Sequence, residues 1–197
     1  FYNNSIVSVG ATNNLTAGPL NFSNGTLMTT ATMSAGNPVF LDAGGGTINT
    51  ASGTTLTLTG GTSGAGALTK RGSGTLILDG FTNHTGGTTV SAGILQGDAG
   101  TGIRGDIINN AQVNLTGTTQ SYIDDMSGTG SVRVINNAII SMDGVNTYSG
   151  STTVEAGSEL YTFSNTGLSA NSAFVVDGLL GVGGSLWPSC FPAKRAR

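Results

Sequence analysis

Few residues in this chain could carry chemistry, and the list is short enough to take one by one. His84 is the single histidine and Cys190 the single cysteine. A Ser-His-Asp hydrolase needs a histidine between a nucleophile and an acid, and only His84 could serve. No Gly-x-Ser-x-Gly elbow accompanies it, and its setting, Thr82-Asn83-His84-Thr85-Gly86, reads as a repeat-surface position. A zinc site needs several His or Cys ligands and cannot be assembled. Asp124-Asp125 is the one adjacent carboxylate pair. Sugar-cleaving carboxylates face each other across a bond, whereas neighbours on a strand point to opposite faces, so this pair belongs to a turn or loop. Asp98 and Asp106 flank glycines without the calcium-binding nonapeptide. No catalytic, cofactor or metal site is expected, and the chain is expected not to be an enzyme.

One tripeptide rises above composition. Arg104-Gly105-Asp106 ends a glycine-rich loop, Gly97 to Gly105, just before the strand-like Ile107-Ile108. These three are the candidate cell-attachment residues, with the Asp offered to a receptor metal and the Arg to a separate acidic pocket. Their loop is expected to be flexible and to protrude. The Asn-x-Ser/Thr sequons at Asn3, Asn14, Asn21, Asn24, Asn83 and Asn114 follow from an Asn-, Ser- and Thr-rich composition.

The elements that would position these residues are short. Apolar–polar–apolar triplets closed by a turn residue recur as Leu56-Thr57-Leu58, Leu76-Ile77-Leu78, Val113-Asn114-Leu115, Ile140-Ser141-Met142 and Phe174-Val175-Val176. Alternation of period two turns one face of each strand inward. The Asp-Gly or Thr-Gly that follows supplies turn chemistry. Glycine, at 33 of 197 residues, interrupts nearly every candidate helical window.

Composition narrows the class. Only 9% of residues are charged and the net charge is −3, so nothing attracts a nucleic acid. The longest apolar stretch, Phe174 to Trp187, is broken by Asp177 and glycines and cannot span a membrane. With 37% hydrophobic residues the chain can still build a long, thin core. It begins at Phe1 without a signal-peptide pattern, which predicts an internal piece of something longer. Residues 186–197 hold Trp187, Cys190, two prolines and three of the seven basic residues. This break in composition predicts a non-native or frameshifted tail.

A repeat decides between a sandwich and a coil of parallel strands. Gly64, Gly66, Leu76, Leu78, Asp79-Gly80, Thr88-Thr89-Val90 and Ala92-Gly93 return as Gly128, Gly130, Ile140, Met142, Asp143-Gly144, Thr152-Thr153-Val154 and Ala156-Gly157. A fixed period means one unit copied and stacked. The unit divides into about three rungs of ~21 residues, a natural size for a turn of a parallel β-helix, and the spacing of Leu41, Leu58 and Leu78 agrees roughly. The expected fold is all-β, a single-stranded parallel β-helical solenoid.

Residues 64–95, with Leu68, Lys70, Gly72 and Gly74, closely resemble the passenger-associated repeat of bacterial autotransporters. Residues 128–160 are similar but looser: Val132, Val134, Asn136 and Ala138 replace those four, while Asn146-Thr147-Tyr148 keeps the family segment better than Thr82-Asn83-His84 does. The resemblance implies that the β-helix is right-handed and lies in a passenger exported through its own C-terminal outer-membrane barrel. Folding outside the cell and exposure on the bacterial surface are implied as well. Residues 1–185 are then expected to be a β-helical stalk or adhesin segment, non-enzymatic, whose partners are that barrel and a host-cell receptor or another copy. The alternative is the stem of an autotransporter whose serine protease domain lies elsewhere.

Overall fold

Alternating triplets of this kind can bury their apolar face only against another copy, and the computed structural model shows them doing so. It describes residues 4–11, 15 and 18–183, so the composition break at 186–197 lies outside the described residues. All 23 elements are strands, and every pairing between them is parallel. Partners lie between 18 residues (Leu95 to Val113) and 23 residues (Val39 to Thr62) apart along the chain. The molecule is a parallel β-helix.

Each turn of the coil has three sides. The first side is a seven-stranded sheet running from Ile6–Val9 through Gly25–Thr29, Gly46–Thr50, Leu68–Arg71, Thr88–Val90 and Ile107–Asn109 to Met126–Ser127. A bridge from Met126 to Asn146 carries it one turn further. The second side is an eight-stranded sheet from Met33–Ala35 to Phe174–Val176, containing Thr55–Leu58, Thr75–Leu78, Ile94–Asp98, Gln112–Thr116, Ser131–Val134 and Thr152–Val154. The third side is two four-stranded sheets, one ending at Thr82–His84 and the other starting at Gln120–Tyr122. Residues 99–106 occupy the gap between them, with Thr101 O accepting the Thr82 N–H and Thr82 Oγ1 donating to Gly102 O.

Inward positions form columns. Leu56, Leu76, Leu95, Val113 and Val132 stack in register on the second side, and Leu27, Ile48, Lys70 and Val90 on the first. Almost all are fully buried. Glycine is required where the corners of adjacent turns touch: a Cβ on Gly66 would overlap Asp42 O, and one on Gly130 would overlap the Ala111 backbone.

The register corrects two expectations. Leu58 pairs with Leu78, but Leu41 lies on the third side, against Phe22 and Gly64, so the three leucines are not one column. The repeat is also not three turns. Leu68 is on the first side and its copy, Val132, on the second; Leu76 is on the second and Ile140 on the third. Three turns from Leu68 lead through Thr88 and Ile107 to Met126, one side short of Val132. Each copy therefore advances three turns and one side. What the repeat encodes is a strand with its corner, and any side of the coil can receive it.

Candidate functional site

The third side and its corner into the first gather most of the residues that chemistry would need. His84 is not on the surface, as its polar neighbours suggest, but buried. Thr82 starts its strand with the side chain inward, and period two turns His84 the same way. Its Nδ1 lies 2.9 Å from Thr62 Oγ1 and its Nε2 3.1 Å from Thr88 Oγ1. A neutral imidazole has one donor and one acceptor, which two hydroxyls satisfy. Burial holds its pKa below 6.5, against a smaller upward pull from the Gly87 backbone. In the second copy Tyr148 fills the slot, with its hydroxyl 2.7 Å from Thr152 Oγ1, the counterpart of Thr88. Both side chains reach across the next corner to the strand that follows it, and no nucleophile–acid arrangement surrounds the histidine.

Lys70 is the second buried polar group. It is fully enclosed between Ile48 and Val90. Its ammonium donates to Arg71 O at 2.7 Å, Gly72 O at 2.8 Å and Ala92 O at 3.1 Å, so three donors meet three carbonyls from two turns. Desolvation lowers its pKa to about 8. Leu68 points inward, and the same alternation would have placed Lys70 beside it.

Arg104, Gly105 and Asp106 lie at the corner from the third side into the first. Arg104 and Asp106 are exposed, but the segment is tied down rather than loose. The Arg104 guanidinium sits 4.8 Å from the Phe81 ring centre. Gly105 N donates to Asp124 Oδ2 at 2.8 Å, and Asp106 Oδ1 accepts the Asp125 N–H at 3.1 Å. Ala99 and Ile103 in the same loop are buried in the core.

Asp124 and Asp125 do form part of a corner, and their carboxylates bond backbone rather than face each other. Asp125 Oδ1 accepts the Val145 N–H at 2.7 Å, and one turn on Asp143 Oδ1 accepts the Phe163 N–H at 2.8 Å. Each carboxylate clips its own turn to a neighbouring one where strand pairing lapses. The near-rung spacing of Asp106, Asp125 and Asp143 was the signal for this ladder. Tyr122 lies beneath it, donating to Gly105 O and Asp125 O. Burial, then the charges of Asp124, Asp106 and Asp125, push its hydroxyl pKa far up.

Among the described residues no group of three or more His, Cys, Asp or Glu is arranged to hold a metal ion, and no helix is long and apolar enough to cross a membrane. The one ion pair among them, Arg133 with Glu155, lies half-exposed on the second side.

Comparison with known proteins returns to the same strands. The model of a family described as passenger-associated-transport-repeat matches residues 68–96 and 141–158. The adhesin BmaC autotransporter of Brucella suis biovar 1 (strain 1330) is 40% identical over 136 residues, which is 66% of this chain and 4% of that protein. The chain thus spans a small fraction of this relative's length. No solved structure matches.

Proposed function

We propose that this chain, which carries passenger-associated transport repeats and is similar to an autotransporter passenger, is a length of non-enzymatic stalk. It folds outside the cell after export through its own C-terminal outer-membrane barrel and holds other parts of the passenger away from the bacterial surface. One observation carries this reading: the repeat's characteristic residues are all used in building the coil. Leu68, Lys70, Leu76, Leu78, Thr88 and Val90 point into the core, and Gly66 and Gly86 are pressed against the turn below. A motif that served a ligand would show its distinctive side chains outward.

The name of the relative adds adhesion to the whole passenger, and in this stretch Arg104, Gly105 and Asp106 are the residues proposed for attachment to a host receptor. The test is done on bacteria displaying the full passenger. An epitope inserted at the exposed Gly53 corner should be reached by antibody on intact cells. Removal of one complete turn, residues 68–87, which brings Thr88 to the place of Leu68, should shorten the stalk without abolishing display. A buried epitope overturns the stalk reading. Asp106→Glu keeps the charge and moves the carboxylate by one methylene; it should reduce attachment of animal cells, and unchanged attachment removes the tripeptide from the proposal.

A further inference from the structure

The corner between the third and first sides carries a ridge that a spacer does not need. Ile123, Val145 and Phe163 project from it on three successive turns and are 68%, 48% and 46% exposed. Tyr122 pairs with Met142, and Ser141 with Tyr161. Ile123, Asp143 and Phe163 therefore follow in one column, with Val145 beside it. Turns stack ~4.8 Å apart, so Ile123 and Phe163 mark the ends of a strip ~10 Å long, with Asp143 between them and Val145 on its flank. Phe163 continues into a groove that it shares with Leu168 and Val182.

Acid lines the strip. Asp106, Asp124, Asp125 and Asp143 are four of the ten acidic residues in the chain, and among the described residues none of them is in an ion pair. The cation of the same stretch, Arg104, lies on Phe81. Each of the four carboxylates is held by a backbone N–H, so the charges stand in place before any partner arrives.

We propose that this ridge docks a cationic polypeptide segment bearing apolar side chains, supplied by another protein. Single exposed apolar residues, such as Phe81 at another corner, need no explanation, but apolar side chains on three successive turns set among carboxylates do. That charge also selects the occupant. A second copy would set carboxylate against carboxylate, which is unfavourable, and an anionic lipid or nucleic-acid surface is repelled for the same reason. Lysine or arginine side chains meet the fixed carboxylates while leucine- or phenylalanine-like side chains cover the strip. A stalk holds its load without such a ridge, so this step goes beyond the stalk reading and stands whether or not the chain is exported.

The probe is a short peptide of alternating lysine and leucine, titrated into the intact chain by calorimetry. Two control peptides replace every lysine by glutamate or every leucine by serine. The lysine–leucine peptide should bind and the controls should not, and raising salt from about 50 to about 300 mM should weaken binding as screening predicts. The double variant Ile123→Ser/Phe163→Ser changes outward side chains only, and its circular dichroism should match the parent. It should bind about tenfold or more weakly, as loss of an apolar anchor does, whereas Phe40→Ser, an exposed aromatic elsewhere on the third side, should change nothing. Equal binding by the double variant, or equal loss in Phe40→Ser, overturns the proposal. So does salt-promoted self-association of the chain that Ile123→Ser abolishes, because the occupant would then be a second copy.

Discussion

His84 and Tyr148 occupy one slot of the repeat, and only the first can change charge near neutral pH. The folded-state pKa of His84 lies below its ordinary 6.5 because its surroundings are dry. The unfolded chain therefore takes up this proton at a higher pH than the folded one. Stability contributed by the neutral ring is complete above about pH 6.5 and falls as pH drops toward the folded value, where both states are protonated and the loss levels off. Thermal unfolding of the native chain should show a step of lost stability below about pH 6.5 that His84→Gln lacks, since an amide keeps a donor and an acceptor without titrating. Identical pH profiles would mean that the ring is not enclosed. The position was legible in the sequence through Thr82 and period two, and so was that of Lys70 through Leu68. What the pattern does not show is the partner atoms: one of the two hydroxyls on the histidine, from Thr62, and one of the three carbonyls on the lysine, from Ala92, come from a turn 22 residues away. A polar residue type then argues for the surface against an alternation that argues for the core.

Strands and corners are where the sequence speaks most clearly. Leu76 and Leu78 point inward and Ile77 is half-exposed between Thr57 and Gln96, as alternation predicts. Leu78→Asp buries a carboxylate between Leu58 and Gly97 of the adjoining turns and should cost about 4 kcal/mol or more. Ile77→Asp should stay within about 1 kcal/mol, with denaturant midpoints as the measurement. Equal damage would reverse the facing of this strand. Asn114 shows the limit of the rule. It is the outward residue of its triplet, yet its neighbours Gln112 and Gln96 cover it and bond its amide. Side-chain ladders of this kind depend on register, and register here varies from turn to turn because the corners differ in length. For the same reason the loop at 99–106 reads as a protrusion in the sequence, while in the coil it fills a missing strand and buries Ala99 and Ile103.

At the scale of the molecule, stability is a chain of nearest-neighbour terms. Each turn touches only the turns beside it, and a single turn cannot offset the entropy of its own ordering. Far-UV circular dichroism should show one β-type minimum and no helical double minimum, and a double minimum would refute the coil. Destabilising one turn should loosen its neighbours before distant turns, visible as a gradient of amide exchange outward from residue 78 in Leu78→Asp.

The one-side advance of the repeat has a consequence for how such a rod meets its surroundings. Two residues at equivalent places in successive copies, Thr69 and Arg133, look out in directions a third of a turn apart. Were further copies to follow at the same interval, the fourth would face as the first does, after a full circuit of the axis. Anything such copies display would wind around the rod as a slow screw thread. A rod decorated this way has no blind flank, and a target brushing it at any angle of roll would find a copy within three intervals of length.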